Sequence, residues 1–360
     1  MRHQHNPLAN PRREPRTTAV QPWRDSVVRG ESGGFASRWQ RGSVLLYVVW
    51  VVVMLALFVV SVSGQALEGL HLGDRLLGQL QAAYLARAAR EYAADLIAQD
   101  PTDVVDHAND PWAQHPAGCP YRLEGGSFSL LRRGATESGC GLIDEESRIN
   151  LNTAPGTVLQ ALLMTVAGLR EDEAHSLAAA IQDWRDPDTD EHDAGAEQYY
   201  YLSRENAYDC KDGPFENVEE LLLVKGMTAS IYEQVAPYVT TEGSGQLNLN
   251  TASEPALRAL GWSAEGVAGF LAYRDGEDSQ PQTADDRVVV SVEDLSSELR
   301  PYVPNEDLVR LVRLTQDKFL GVASTVFRAT VVASAIHPQG EVHVTCLLDR
   351  DGHVRAWTEQ

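Results

Sequence analysis

The chain has 360 residues, with 30 Lys+Arg against 51 Asp+Glu, a formal net charge of −21. Residues 1–42 hold eight Arg and three acidic residues, so residues 43–360 carry −26. A nucleic-acid surface must be positive to meet phosphates, so the acidic part is excluded from that class and suits cations or basic partner faces.

Residues 1–42 are rich in Pro, Ser and Gly and show no apolar periodicity, which predicts a solvated leader. From Ser43 to Val62 there are 20 residues without a charge. About 20 apolar helical residues cross the hydrocarbon core of a bilayer, so this run predicts a single membrane span. The Arg-rich side stays in the cytoplasm, which puts the rest of the chain across the membrane.

Helix-forming character continues through LHLGDRLLGQLQAAYLARAAREYAADLIAQD up to Pro101. One helix from Ser43 to about Ala98 is expected, with Leu70, Leu77, Leu80, Tyr84 and Ala88 as the face laid on the chain's own globular part. Short alternating segments follow, YRLEGG, SFSLLRRG and CGLIDEESRINLN, and at the C-terminus STVFRATVVASA, EVHVTCLLDRDG and HVRAWTE. They read as antiparallel strands enclosing a helical middle.

That middle contains an internal repeat. RINLNTAPGTVLQAL from Arg148 returns as QLNLNTASEPALRAL from Gln246, with an offset of 98 residues from Ile149/Leu247 to Leu162/Leu260. DWRD at Asp183 echoes YRDG at Tyr273, and NVEELLLVKG at Asn217 echoes SVEDLSSELR at Ser291. Thr153 and Thr251 stand where a helix N-cap is expected. Lys225-Gly226 turns between two short helices, a helix-hairpin-helix pattern.

The four cysteines, Cys119, Cys140, Cys210 and Cys346, all follow the span. In an oxidising compartment they allow two disulfides in three connectivities, or else they are isolated buried thiols. The ten His are scattered, and neither a nucleophile elbow nor a phosphate loop is present, so no enzyme is indicated.

One loop carries a ligand-like pattern, DWRDPDTDEHDAGAEQYYY from Asp183. Counted from Asp186, acids fall at positions 1, 3, 5, 8 and 12: Asp186, Asp188, Asp190, Asp193 and Glu197. A 12-residue loop so charged can wrap six to eight oxygens round calcium. Glu191 occupies position 6, where an EF-hand has Gly, and a solvated acidic loop is the alternative. The segment from Glu205 to Asp212 offers further oxygens or a place for a second ion.

Arg41-Gly42 before the apolar run, then RINLNTA, AIQDWRDPD, GAEQYYY, FENVEELLLVKGM, VAPYV and LNLNTA in that order, resemble the K-type minor pseudopilins of the bacterial type II secretion system, the general secretion pathway protein K family. The resemblance runs from Gly42 to near the C-terminus. It implies an α+β fold, in which a pilin-like long N-terminal transmembrane helix packs on a small antiparallel sheet. A large duplicated all-α insertion, helix-hairpin-helix or SAM-like, lies between the strands.

The parts are then a leader, 1–42, removed by prepilin peptidase; the span, 43–62; its periplasmic continuation, 63–98; the sheet, 99–149 and 316–360; and two helical repeats, 150–242 and 243–315. Cleavage falls between Gly42 and Ser43, with methylation of the new terminus. The leader is long for the family, and Ser43 replaces the usual bulky residue.

The resemblance further implies calcium in the insertion, and I-type and J-type minor pseudopilins as partners at the tip of a periplasmic pseudopilus. The prepilin peptidase, the inner-membrane secretion platform and exoprotein substrates are the other expected contacts. The protein would sit in the inner membrane, N-terminus in the cytoplasm and body in the periplasm.

Tyr47 is fifth from Ser43, where pilins and pseudopilins carry Glu. An intramembrane carboxylate costs roughly 2.5–3.5 kcal/mol unless paired. In a filament it pairs with the N-terminal amine of the subunit above, so Tyr47 marks a subunit with none above it.

The stretch LNLNTASEPALRALGWSAEGVAGFLAYRDG also resembles the helix-hairpin-helix of membrane-anchored competence receptors for DNA. Residues 144–300 hold 10 Lys+Arg and 31 Asp+Glu. The GWSAEG hairpin lacks a Gly-x-Gly turn, so nucleic acid is not expected as a partner.

Overall fold

The computed structural model describes residues 40–114, 119–133, 138–276, 280–283 and 285–359. The expected leader lies outside the described residues as far as residue 39. Two compact units divide the chain, residues 1–66 and 67–360.

Helix α1 (Gln40–Ala98) takes in Gly42 and Ser43 and matches the expected continuous helix. From Val44 onward it includes a stretch long and apolar enough to cross a membrane, by length and composition. Tyr47 lies in that stretch with its side chain exposed.

Within the second unit only Ala88 of the expected face of α1 packs on the sheet core, half-buried; the rest of that face does not. Gly78, Ala82, Ala86, Ala89, Ala93, Leu96 and Ile97 are buried, whereas Leu70, Leu77, Leu80 and Tyr84 are 52–66% exposed. The reason is steric. A side chain at Gly78 would run into the backbone of Pro338 and Gln339, so only a small-residue stripe lets the helix lie this close to the sheet.

Strands β1 (Tyr121–Leu123), β2 (Gly126–Arg133), β3 (Ser138–Cys140) and β4 (Ile143–Asp144) precede two short parallel pairings. These join β5 (Ile149–Asn150) to β6 (Val239–Thr240), and β7 (Leu247–Asn248) to β8 (Leu320–Gly321). Strands β9 (Val326–Ala335), β10 (Gly340–Asp349) and β11 (Val354–Glu359) complete an antiparallel sheet of order β1-β2-β9-β10-β11. Burial alternates along β9, as a strand with one face on the core requires. Phe128, Leu130, Phe327, Val331 and Val344 meet Ala86, Ala89 and Ala93 of α1 in that core.

A disulfide joins Cys119 to Cys140, while Cys210 and Cys346 are buried free thiols. The chain therefore combines the two readings of its cysteines: one bridge and two isolated thiols.

The helical middle has its own apolar core, which runs without a break from Ile149 to Leu320. Its elements are α2 (Gly156–Val166), α3 (Glu171–Arg185), α4 (Gln198–Leu202), a 3-10 turn (Val218–Leu223) and α5 (Ala229–Val235). Then come α6 (Glu254–Ala259), α7 (Ala264–Arg274), α8 (Val292–Glu298) and α9 (Asn305–Gln316).

The echoing sequences make the same bonds. Asn152 and Asn250 accept backbone N–H from Phe215 and Val289 at 2.7 and 2.8 Å, and each returns its amide to the same residue's carbonyl at 3.0 Å. Arg185 donates to the carbonyls of Leu151 and Ala154, and Arg274 to those of Leu249 and Ala252. Gly168 and Gly261 turn the two hairpins at φ +63° and +80°, where a side chain would be strained.

The threonines are not caps. The residues before α2 and α6 are Pro155 and Ser253. Thr153 donates instead to the Gly245 carbonyl at 2.6 Å, and Thr251 to Asp144 at 2.5 Å, so both fasten distant segments.

Asp144, Glu145 and Glu146, all buried, join sheet to helices. Asp144 accepts from Thr251 and, at 3.0 Å, from Asn248. Glu145 takes Arg328 at 2.5 Å and Thr240 at 2.6 Å, and Glu146 takes Ser244 and Thr325 N–H at 2.9 and 3.0 Å. Burial and the neighbouring Glu146 push Asp144 up to about 8. Burial also acts on Glu145, but Arg148 and Arg328 overcome it and hold that carboxyl at about 2.

Candidate metal centre

Pro187 has no N–H and disfavours helix at the residue before it, so α3 stops at Arg185 and Asp186 turns extended, φ −82° and ψ 156°. The following loop is bent back by Asp183, whose side chain is fully buried. Its carboxylate accepts N–H from His192 at 3.1 Å and from Ala196 at 2.5 Å, and contacts His192 Nδ1 at 2.5 Å. Gly195 is required there, since a Cβ would collide with Asp183.

The loop delivers Glu197 to the start of α4, 7% exposed and making no cap hydrogen bond. Next to it Gln198 fastens the returning segment, accepting from Cys210 N–H at 2.6 Å and donating to Asp209 at 2.6 Å. Trp184, Tyr201 and Tyr208 pack together nearby, with ring centroids 5.2–6.3 Å apart.

Oxygens of Asp186, Asp188 and Glu197 lie within 4.8 Å of one another, and so do the ligand atoms of Glu197, Cys210 and Asp212. Asp186 Oδ1, both Glu197 oxygens and Asp212 Oδ1 are buried without a hydrogen-bond partner. Burying unpaired carboxylate oxygens is costly, and their mutual repulsion adds to it. Burial, followed by the charges of Asp183 and Asp212, pushes Glu197 up to about 7. Burial, with Asp188 and Asp183, also raises Asp186.

Converging carboxylates, with the Asp186, Glu197 and Asp212 oxygens named above lacking a donor, fit a hard divalent cation that takes oxygen ligands, as calcium does. Of the five residues singled out by spacing, the structure brings together Asp186, Asp188 and Glu197. Asp190 is exposed and gives its N–H to Asp188 at 3.0 Å, while the Asp193 side chain is 99% exposed. Asp212 comes in from the returning segment instead.

Spacing alone missed Asp183 as the organiser of the loop. Its signal was a carboxylate on the buried face of α3, between Ala180 and Trp184.

Residues 143–242 match the family model described as Type II secretion system (T2SS), protein K. Type II secretion system protein K of Klebsiella pneumoniae is 27% identical over 229 residues, 59% of this chain and 66% of that protein. The protein K of Pseudomonas aeruginosa is 30% identical over 166 residues, 43% and 46%. The matched stretches thus span less than two thirds of these curated relatives.

A chain of the crystal structure of the GspK-GspI-GspJ complex from enterotoxigenic Escherichia coli superposes with a TM-score of 0.60 at 21% identity. The match covers 78% of this chain and 96% of that one, so the mixed fold of helix and antiparallel sheet is shared. By sequence, residues 143–242 are similar to the protein K family of the type II secretion system, and so are the stretches shared with these relatives.

Proposed function

We propose that the protein is a minor pseudopilin: a membrane-anchored structural subunit, not an enzyme, that caps a periplasmic pseudopilus and supports export of folded exoproteins. The observation that carries this reading is the match of residues 143–242 to the protein K family model, joined to one uninterrupted helix, apolar from Ser43 to Val62, leading into an α+β body. Prepilin peptidase cuts between Gly42 and Ser43 and leaves residues 43–62 as the inner-membrane anchor, with the body in the periplasm. The inner-membrane platform assembles it.

GspI and GspJ accompany GspK in the complex whose fold is shared, which supports I-type and J-type minor pseudopilins as partners. The repeated hydrogen bonds of Arg185/Arg274 and Asn152/Asn250 support two copies of one helix-hairpin-helix unit. Tyr47 in place of an intramembrane acid fits the topmost subunit.

Co-purification of the detergent-solubilised chain with the I-type and J-type subunits of the same secretion system tests the assembly. A stable ternary complex is expected, and its absence overturns the tip role. Tyr47→Glu should weaken tip assembly; unchanged assembly removes position five from the argument.

Calcium held by Asp186, Asp188 and Glu197, with Asp212 beside them, is the structural cofactor. Its charge neutralises a loop that the fold otherwise leaves with orphaned buried oxygens. A ligand at 100 times its Kd stabilises by about 2.7 kcal/mol. Chelation should therefore lower the melting temperature by several degrees, and Asp188→Ala should abolish that dependence. A melting point indifferent to chelation counts against the ion.

A further inference from the structure

The first copy of the repeat begins on Arg148 and the second on Gln246, the equivalent place. Gln246 closes its bonding inside the chain, donating its amide to the Lys318 carbonyl at 3.2 Å. Arg148 does not. Its side chain is 11% exposed and lies 3.5 Å from Glu145, and among the described residues it makes no hydrogen bond.

Glu145 is already taken. Arg328 holds both oxygens of that carboxylate, at 2.5 and 3.0 Å, and the Thr240 hydroxyl donates to one of them at 2.6 Å. Two guanidiniums therefore share one carboxylate. The neighbouring Asp144, pushed up to about 8 by burial and by Glu146, is mostly protonated at neutral pH and supplies no second charge. Burial lowers Arg148, and Glu145 only partly offsets it.

Arg148 and Arg328 line one cavity of about 370 Å³, the size of a ligand pocket. Thr345 and Leu347 of β10 form a wall of it, on the face of the sheet opposite the core that takes Val344, Cys346 and Leu348. The exposed Glu216 and Glu219 and the half-buried Glu242 line it too. Glu242 has Arg355 at 3.6 Å and Glu216 has Lys211 at 3.9 Å, whereas Glu219 has no ion pair among the described residues.

We propose that this cavity binds a small zwitterion, an extended molecule with a carboxylate at one end and an ammonium at the other. Arg148 takes the carboxylate, which a planar guanidinium fork matches, and Glu219 takes the ammonium. A plain anion meets the acids and a plain cation meets the two arginines, so only a ligand with both charges satisfies the cavity.

The test is calorimetric titration of the full chain, in an uncharged detergent, with 6-aminohexanoate. Hexanoate and hexylamine are the probes that carry one end each. One saturable site is expected, about tenfold tighter for 6-aminohexanoate than for either one-ended probe. Arg148→Gln should weaken 6-aminohexanoate by at least about tenfold. Glu219→Gln should narrow its preference over hexanoate to about threefold.

No binding of 6-aminohexanoate, equal binding of hexanoate, or unaltered affinity in Arg148→Gln overturns the proposal. Removing a buried guanidinium leaves its carboxylate partner short of a charge, so the melting temperature of Arg148→Gln is read first. If that variant does not fold, the exposed change Glu219→Gln decides. An unaltered preference there overturns the site as well.

Discussion

Arg185 in the first helical stretch and Arg274 in the second grip equivalent carbonyls, and Asn152 and Asn250 close equivalent loops, yet the two stretches treat a buried acid differently. In the second, Asp307 is 1% exposed and accepts from Ser263 N–H at 3.0 Å and Ser263 Oγ at 2.6 Å. In the first, Glu197 is buried with no donor at all. A buried carboxylate with donors is part of the fold's own bonding. One without them, facing other acids, implies a charge supplied from outside.

The largest expected effect comes from the repeated asparagines. Asn248 is fully buried, and its amide donates to the Asp106 carbonyl, Asp144 and Ser324 at 3.0–3.1 Å. Asn150 at the equivalent place donates to the Glu242 carbonyl at 2.8 Å and is 5% exposed. Each buried group left without its partner costs about 1–3 kcal/mol. Asn248→Ala should therefore cost about 3 kcal/mol in denaturant unfolding and Asn150→Ala about 1–2 kcal/mol. Equal losses would break the distinction between a hub residue and a local loop tie.

A medium effect, with a change of sign, is expected at the acids themselves. Asp307→Asn should destabilise by about 1–2 kcal/mol whether or not calcium is present, because it disturbs bonds made within the chain. Glu197→Gln should destabilise in calcium and stabilise in chelator, where it removes an unpaired buried charge.

Because the folded-state value of Glu197 is raised to about 7, its contribution in chelator is fully present below the ordinary carboxylate range. That contribution is lost as pH rises through about 7. Melting curves in chelator between pH 4.5 and 8 should show the decline, flattened in Glu197→Gln; identical profiles would remove Glu197 as its source.

The bounds of α1, the strand segments and both copies of the Asn-Thr-Ala repeat were legible because each rests on local pattern: an uncharged run, alternation, or self-similarity. The packed face of α1 was not. Hydrophobicity picks Leu77 and Leu80, but distance of approach selects Gly78 and Ala82, and that depends on a β-hairpin more than 250 residues away in the chain.

Thr153 and Thr251 fit a local capping rule, but Gly245 and Asp144 outcompete it. At the candidate centre, spacing found Asp186, Asp188 and Glu197 because they share one loop. The segment from Glu205 to Asp212 was also legible as a source of oxygens, but that Asp212 is the acid delivered depends on Gln198 fastening Cys210 and Asp209, a tertiary bond that no spacing encodes.

The smallest expected effect follows from two adjacent acids that serve the two stretches separately. Asp144 binds Thr251 and Asn248 of the second, and Glu145 binds Thr240 of the first. With its folded value raised to about 8, Asp144 supports the fold best when protonated, and this support fades as pH rises through 8. Glu145, held at about 2, contributes everywhere above the ordinary carboxylate range and loses its contribution only as pH falls towards 2.

Between pH 6 and 9 the second stretch should therefore loosen while the first holds. Amide exchange, corrected for its intrinsic pH dependence, should speed up at Asn250, whose N–H is held by Asn248 at 3.0 Å. It should stay level at Asn152, held by Asn150 at 2.8 Å. Parallel acceleration at both amides would show that the two stretches open as one body, and that the neighbouring acids do not tie them independently.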